Sequence, residues 1–303
     1  MQILGLKNFV LFSLVFLSAC STCQKQDSTD ELLDTKLGRK SAVRRAGLIS
    51  GSQFIRSTSY LSHPQREGRI QAELSAGNFP NFLRKLIPIN VTERDKSGKL
   101  YRLTFWVSSD YFSIGDDKDY VRMPMNPHTA QALADQYGAI LPTRKMVDLI
   151  YKNAAIKLNP KPKPPGPKME TNAYYLEHHM TIESQLRGKV KFGLAIAGHK
   201  KDVVISNRLL SQPGRVAIYG WHQTNTKAIQ PLSLVHGDRY ADYSHGVRLV
   251  RNLVMLNGKV KNISDVLKNP QTAFLLSDEG VMQTLGYRPQ KLKISQNNNF
   301  DLF

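Results

Sequence analysis

The body of this chain lacks cysteine. Its two cysteines, Cys20 and Cys23, both lie near the N-terminus. The rest of the chain therefore cannot hold a disulfide framework, a cysteine-ligated zinc site or a catalytic thiolate. Acidic residues are also scarce, because 24 Asp and Glu stand against 42 Lys and Arg and give a formal net charge of +18. This excess of positive charge predicts an anionic partner.

The N-terminal sequence "MQILGLKNFVLFSLVFLSAC" contains an apolar run that follows Lys7 and ends in small residues. The run is shorter than the roughly 18 apolar residues that a membrane span needs, and its order of residues is typical of a secretory signal. Leu17 to Cys20 resembles the lipobox of bacterial lipoproteins. The resemblance implies cleavage before Cys20 and attachment of lipid to it. An ordinary secretory signal is the alternative.

These features divide the chain into four parts. Residues 1–19 form the predicted signal peptide, 20–45 a polar tether anchored by lipid, 46–295 a single domain, and 296–303 a polar tail. The proline-rich segment 159–168 cannot continue a helix or fill a central strand, so it is predicted to be an extended connector that could divide the domain into two subdomains.

We expect the protein to be exported and attached to a bacterial membrane by lipid, on the periplasmic face of the outer membrane if the organism is Gram-negative. Its basic surface would then meet lipid head groups, lipopolysaccharide or peptidoglycan carboxylates, and no nucleic acid is expected. The alternative is that the lysines only keep the surface soluble.

The pattern of the domain predicts an α+β fold, with helices in the first half and a sheet-rich second half. Helix signals occur at Gln65–Ala76, after the caps Asn126 and Thr143, and at about Asn172–Leu186. Strands are predicted at Leu86–Val91 and Leu100–Val107, and in four apolar runs, "VKFGLAIAG", "DVVIS", "RVAIYGWH" and "IQPLSLVHG".

Reactive side chains concentrate in "SLVHGDRYADYSHGVRLV", from Ser233 to Val250. We predict a strand-to-helix junction here, with Ser244 as the helix cap and Gly258 as the end of the helix. The start of a helix carries unsatisfied N–H donors and suits an anion. Arg248, in the first turn, could then clamp a carboxylate.

This segment resembles the catalytic segment of bacterial L,D-transpeptidases, which carry His-Gly and then Ser-His-Gly-Cys-x-Arg. His236-Gly237, Ser244-His245-Gly246 and Arg248 match, over about eighteen residues. Val247 alone stands where the family has Cys-x, so the nucleophile is missing. The resemblance implies an envelope protein related to peptidoglycan enzymes, with thiolate chemistry lost. Coincidence is the alternative, since short His-Gly motifs recur.

The residues themselves leave three chemistries open. One is binding of a divalent metal such as zinc, for which the candidate ligands are His236, Asp238, Asp242 and His245. Another is nucleophilic attack by Ser244 after activation by a distant histidine. The third is ligand binding without turnover, through Arg239, Tyr240 and Arg248.

Two further histidines end predicted strands. His199 lies in "AGHKKDVV" and His222 in "YGWHQ". If neighbouring strands bring these ends together, His199, His222 and His236 converge on one pocket and the first two contact substrate. The alternative is that each is an ordinary surface-loop residue.

Together these observations favour hydrolysis or acyl transfer on peptidoglycan or a related envelope polymer. His236 would be a general base or metal ligand, with Asp238 and Asp242 orienting or ligating it, and His245 and Ser244 completing the catalytic set. Arg248 would hold a substrate carboxylate, helped by Arg239 and Tyr240. The alternative is a noncatalytic lipoprotein that binds anionic envelope polymer.

The lipobox resemblance gives the first testable prediction. Cys20→Ser should release the protein from membranes, because the acceptor of the lipid is gone. The measurement is the distribution between membrane and soluble fractions after a high-salt wash. A variant that stays with the membrane would contradict lipidation at Cys20.

Overall fold

Side chains that cap the first turn set where the helices begin. The computed structural model describes Leu37, Arg44 and residues 46–189 and 192–287. The predicted signal peptide, Cys20, most of the tether and the tail lie outside these residues. The described part holds six α-helices: α1 Gly51–Thr58, α2 His63–Ser75, α3 Pro127–Gln136, α4 Arg144–Asn153, α5 Asn172–Leu186 and α6 Ile263–Lys268.

The caps predicted from sequence make the expected hydrogen bonds. The side chain of Asn126 accepts from the backbone N–H groups of His128 and Thr129, and Thr143 accepts from Met146. Thr171 caps α5 in the same way. These bonds satisfy donors that the first turn leaves without an intrahelical partner. None of the described helices is long and apolar enough to cross a membrane.

Strands become more frequent toward the C-terminal half, as the α+β prediction requires, and that prediction is confirmed. The strands are β1 Leu86–Arg94, β2 Leu100–Ser108, β3 Ser113–Gly115, β4 Tyr120–Arg122, β5 Ala139–Ile140, β6 Ile156–Lys157, β7 Ile196–Ala197, β8 Lys201–Val203, β9 Ile218–His222, β10 Ala228–Ser233, β11 His245–Gly246, β12 Val250–Arg251, β13 Leu253–Leu256 and β14 Lys259–Asn262.

The largest sheet has six strands and is organised around β2. One edge of β2 pairs along its full length with β1 as an antiparallel hairpin. Its other edge pairs with β12 and then β13, which are extended outward by β5 and β14 respectively. A second sheet has the order β10-β9-β8-β11, in which β11 runs parallel to β8. Two smaller pairs, β3-β4 and β6-β7, complete the strands.

Helices pack against these sheets and hold the second half of the chain in place. Helix α4 contacts β9 and β1, and α5 contacts α1 and β4. Residues before and after the proline-rich segment 159–168 belong to the same compact unit of the chain.

The helix predicted from Ser244 to Gly258 is wrong, and the strand-to-helix junction with it. The segment forms three short strands, β11 to β13. Asn257 and Gly258 have φ values of 47° and 77° and connect β13 to β14 as a two-residue hairpin turn. Asn-Gly favours this turn because both central residues need positive φ. The turn and the β-branched valines outweigh the helical spacing of the apolar residues.

This hairpin gives a stability prediction. Gly258→Ala should destabilise the domain by about 1 kcal/mol or more, because a Cβ disfavours positive φ. No atom lies within 4 Å of the added Cβ, so the cost is conformational rather than a clash. The matched control is Gly68→Ala in the middle of α2, which also has open space. It should stabilise by about 0.5–1 kcal/mol. Urea unfolding measures both; equal effects would contradict the turn assignment.

Candidate functional site

The segment that sequence analysis singled out divides into an accessible half and a buried half. His236, Asp238, Arg239 and Tyr240 keep contact with solvent, whereas every residue from 241 to 250 is buried. The predicted site residues therefore do not share one surface. Only the first half can meet a substrate without opening of the fold.

Asp242 and Ser244 form a closed turn. Ser244 donates to one carboxylate oxygen of Asp242 through its backbone N–H at 2.7 Å and its hydroxyl at 2.5 Å. The hydroxyl of Tyr240 donates to the other oxygen at 3.0 Å. Ser244 is fully buried, and no histidine of the described residues hydrogen-bonds to it. The nucleophile assignment for Ser244 is not supported, and its role is to fix the turn.

His236 and His245 do come close to each other. Their rings lie 6.5 Å apart, and both contact Tyr240, with His236 stacked on it at 4.2 Å. His245 is fully buried, and neither of its ring nitrogens has a hydrogen-bond partner within the described residues. Burial lowers the pKa of His245 to about 4, although Asp242 opposes the shift. His245 is therefore neutral at pH 7.

The four candidate metal ligands do not assemble into a metal site. The carboxylate of Asp238 pairs with His128, and that of Asp242 is used by Tyr240 and Ser244. The described residues contain no group of three or more His, Cys, Asp or Glu placed to hold a metal ion. The geometry thus gives no support to a zinc-dependent mechanism at His236, Asp238, Asp242 and His245.

Arg248 is a structural residue, which corrects its prediction as a carboxylate clamp. It is 1% exposed, and its guanidinium donates to the carbonyls of Ser108 at 2.9 Å and Ile196 at 2.7 Å. Tyr111 stacks beneath it at 4.2 Å, and Asp202 lies 3.7 Å from Nε. Arg248 links β2 to β7. The segment around it forms strands instead of the predicted helix, and its side chain lies in the core.

The predicted substrate pocket of His199, His222 and His236 is not supported, because His199 and His222 are buried. His199 is fully buried and bonds Asp110 at 3.0 Å. His222 bonds Asp148 at 2.8 Å and stacks on Tyr151. His236 contacts neither of these partner sets. The three histidines serve separate networks, and the first two are too buried to hold substrate as predicted.

A polar centre that sequence analysis missed lies beneath the buried turn. Lys200 is 1% exposed and donates from Nζ to the carbonyl of Tyr243 at 2.6 Å. His178 packs against Tyr243, and neither of its ring nitrogens has a hydrogen-bond partner in the described part of the chain. Trp221 has φ 56°, which is unfavourable for a bulky residue, and its Nε1 likewise lacks an acceptor. Strain and unsatisfied polar atoms both accompany functional sites.

Electrostatics at this centre disfavour charge. Burial and, to a smaller extent, repulsion by Arg122 lower the pKa of Lys200 to about 7. Burial likewise holds the pKa of His178 well below its ordinary range. The only sequence signal for Lys200 was its position in "AGHKKDVV", where a lysine in a charged loop gives no indication of burial.

The accessible half of the segment borders two surface grooves. A carboxylate oxygen of Asp238 accepts from Nε2 of His128 at 2.8 Å, and the two side chains are 28% and 46% exposed, respectively. One groove has a volume of about 730 Å³, and both residues line it together with Arg215 and Lys268. His128 also lines the second groove, of about 570 Å³, with Arg239 and Glu67. His128 thus lines both grooves, and its partner Asp238 lines the first.

Local structure places each member of this pair. His128 lies in the first turn of α3, whose start is fixed by Asn126. The backbone N–H of Asp238 donates to the carbonyl of Gly214 at 2.9 Å, which holds the loop against the groove. Glu67 projects from α2 and accepts from the backbone N–H of Asn126 at 2.9 Å. Burial raises the pKa of Glu67, so it stays protonated to a higher pH than an exposed glutamate.

Comparison with known proteins gives no relative. No protein-family model, no curated protein and no solved structure matches this chain. The function must therefore be argued from the site itself.

The buried lysine gives a prediction for stability against pH. The folded pKa of Lys200 is about 7, below its ordinary 10.5. Between these values the unfolded chain binds more protons, so the free energy of unfolding gains up to about 1.4 kcal/mol per pH unit as pH rises. Lys200→Met should remove this gain between pH 7 and 9 in urea unfolding. The exposed Lys227→Met is the matched control, and a slope unchanged by Lys200→Met would contradict the assignment.

Proposed function

We propose that this chain is an exported, lipid-anchored bacterial protein that hydrolyses an anionic polymer of the cell envelope, such as peptidoglycan. The observation that carries the proposal is His128, which lines both grooves and is paired with Asp238 of the first groove. A histidine oriented by a carboxylate is a common general base in hydrolysis. The reactive centre then lies where Asp238, in the accessible half of the segment, meets His128 of α3.

The grooves suit an extended anionic chain. Volumes of about 730 and 570 Å³ each fall within the usual range of ligand sites. Arg215 and Lys268 line the first groove and Arg239 lines the second, and Leu209 and Leu210 supply apolar wall. A polymer lying across both grooves would pass over His128. Such a substrate would be cut within the chain rather than at its end.

The proposed reaction divides proton transfer between two groups. Asp238 accepts from Nε2–H of His128 and leaves Nδ1 to take a proton from water. The water oxygen attacks the scissile centre and forms the new bond as the bond to the leaving group breaks. Glu67, whose pKa is raised by burial, is the group proposed to donate a proton to the departing atom. Water and substrate are the only reactants.

A second candidate function is binding without turnover. It is favoured by the cationic lining of the grooves, because Arg215, Lys268 and Arg239 can hold carboxylates or phosphates whether or not His128 acts on them. The two functions predict the same attachment to polymer and differ in whether soluble fragments appear.

The test uses purified cell wall and measures both sedimentation of the protein and release of soluble fragments. His128→Ala and Asp238→Asn should lower fragment release by about 10²-fold or more, the usual contribution of a general base, while sedimentation is unchanged. Arg215→Ala with Lys268→Ala should weaken sedimentation, more so at higher salt. Glu67→Gln should lower fragment release, because glutamine cannot donate the proton, and the remaining activity should no longer fall as the pH rises through the pKa of Glu67.

Arg144→Ala is the matched control, because it breaks a comparably exposed ion pair with Asp278, and neither residue lines either groove. It should leave both measurements unchanged. Sedimentation without fragment release by the unaltered protein would establish binding alone. If the protein neither sediments at low salt nor releases fragments, both proposed functions are wrong.

A further inference from the structure

A third groove lies at the far end of the six-stranded sheet. Its volume is about 690 Å³, and it lies between the β1–β2 turn and the segment 270–274. Arg94, Lys96 and Lys99 line one side, and Tyr101 and Phe274 form an aromatic floor in edge-to-face contact at 5.7 Å. The groove shares no lining residue with the two at His128.

Two acidic residues near this groove, Asp95 and Glu93, already have partners. The carboxylate of Asp95 accepts from the backbone N–H groups of Ser97 and Lys99 and from the hydroxyl of Ser97, which closes the turn. Glu93 is paired with Lys145 at 2.9 Å. The cations of the turn are therefore exposed, and neither Asp95 nor Glu93 pairs with them.

Further cations come from neighbouring strands. The backbone N–H of Arg102 donates to the side-chain oxygen of Asn257, and the backbone N–H of Asn257 donates to the carbonyl of Arg102, each at 2.8 Å. These bonds hold the β13–β14 turn beside β2. Arg102, Lys259 and Lys261 are exposed, as are Arg94, Lys96 and Lys99. Six cations thus project from one end of the sheet: Lys96 and Lys99 lie in the β1–β2 turn, and the other four lie on β1, β2 and β14.

We infer that this end of the sheet is a docking surface for the phosphate head groups of an anionic membrane. Cations spread over adjacent strands match a planar array of phosphates, and each basic residue near such a surface adds to binding. The groove has room for one head group beside Lys96 and Lys99, and acyl atoms would contact Phe274, which is partly exposed. This surface acts independently of hydrolysis at His128.

The experiment measures co-sedimentation of the full chain with vesicles of phosphatidylcholine alone and of phosphatidylcholine mixed with phosphatidylglycerol. The unaltered protein should bind the mixed vesicles more strongly, and the difference should shrink as salt rises. Lys96→Glu with Lys99→Glu should reduce the part of the binding that depends on phosphatidylglycerol by about tenfold or more. Binding to phosphatidylcholine alone should be the same in both proteins.

The control is Lys85→Glu with Lys227→Glu, which changes net charge equally. Lys85 is exposed just before β1, roughly 30 Å along the nine-residue strand from the turn. This variant should retain most of the phosphatidylglycerol-dependent binding. An equal loss in the control would show that net charge alone drives binding and would overturn the docking surface. So would full competition by millimolar glycerol phosphate, which would indicate a pocket for free phosphate instead.

Discussion

The buried ion pair between Arg122 and Asp110 allows this domain to keep so many polar groups inside. Both side chains are inaccessible to solvent, and Arg122 donates to one oxygen of Asp110 at 2.6 and 3.1 Å. The other oxygen bonds His199 and the backbone N–H of Tyr111. A buried charge is tolerated only when paired and hydrogen-bonded, and here each lone pair has a use. Arg122 holds the pKa of Asp110 well below its usual range.

This pair connects parts of the chain that are distant in sequence. Arg122 ends β4 and also pairs with Glu183 on α5, while Asp110 follows β2 and reaches His199 ahead of β8. Tyr111 then lies between His199 and Arg248. The turn at 242–245 and the polar centre at Lys200 are built on this framework. The interior around this ion pair is consequently polar, although most buried residues are apolar.

Much of the secondary structure could be predicted from short-range signals. The caps Asn126 and Thr143 and the limits of α5 are visible because the capping side chain and the first turn are adjacent in sequence. The hairpin at Asn257-Gly258 is also visible as a two-residue signal, although the valines before it have helical spacing. Both the helix caps and this turn are therefore encoded locally.

The site could be predicted only in part. Asp238 lies in the segment singled out by its composition, yet its partner His128 is 110 residues away, and a lone histidine near a helix start carries no sign of that contact. Arg248 was predicted to hold a substrate carboxylate because it was placed in the first turn of a helix; its burial depends on the carbonyls of Ser108 and Ile196, which only the tertiary fold brings near. Long-range pairing, rather than residue type, decides these roles.

The central position of β2 has a consequence for biosynthesis. One edge of β2 is covered at once by β1, but the other waits for β12 and β13, which follow about 140 residues later. Contacts of such long sequence separation form slowly. Until residue 256 has been made, β2 presents an open edge of unpaired N–H and C=O groups that can recruit another strand. A nascent chain that ends before β12 therefore leaves this edge of β2 exposed and is prone to aggregate.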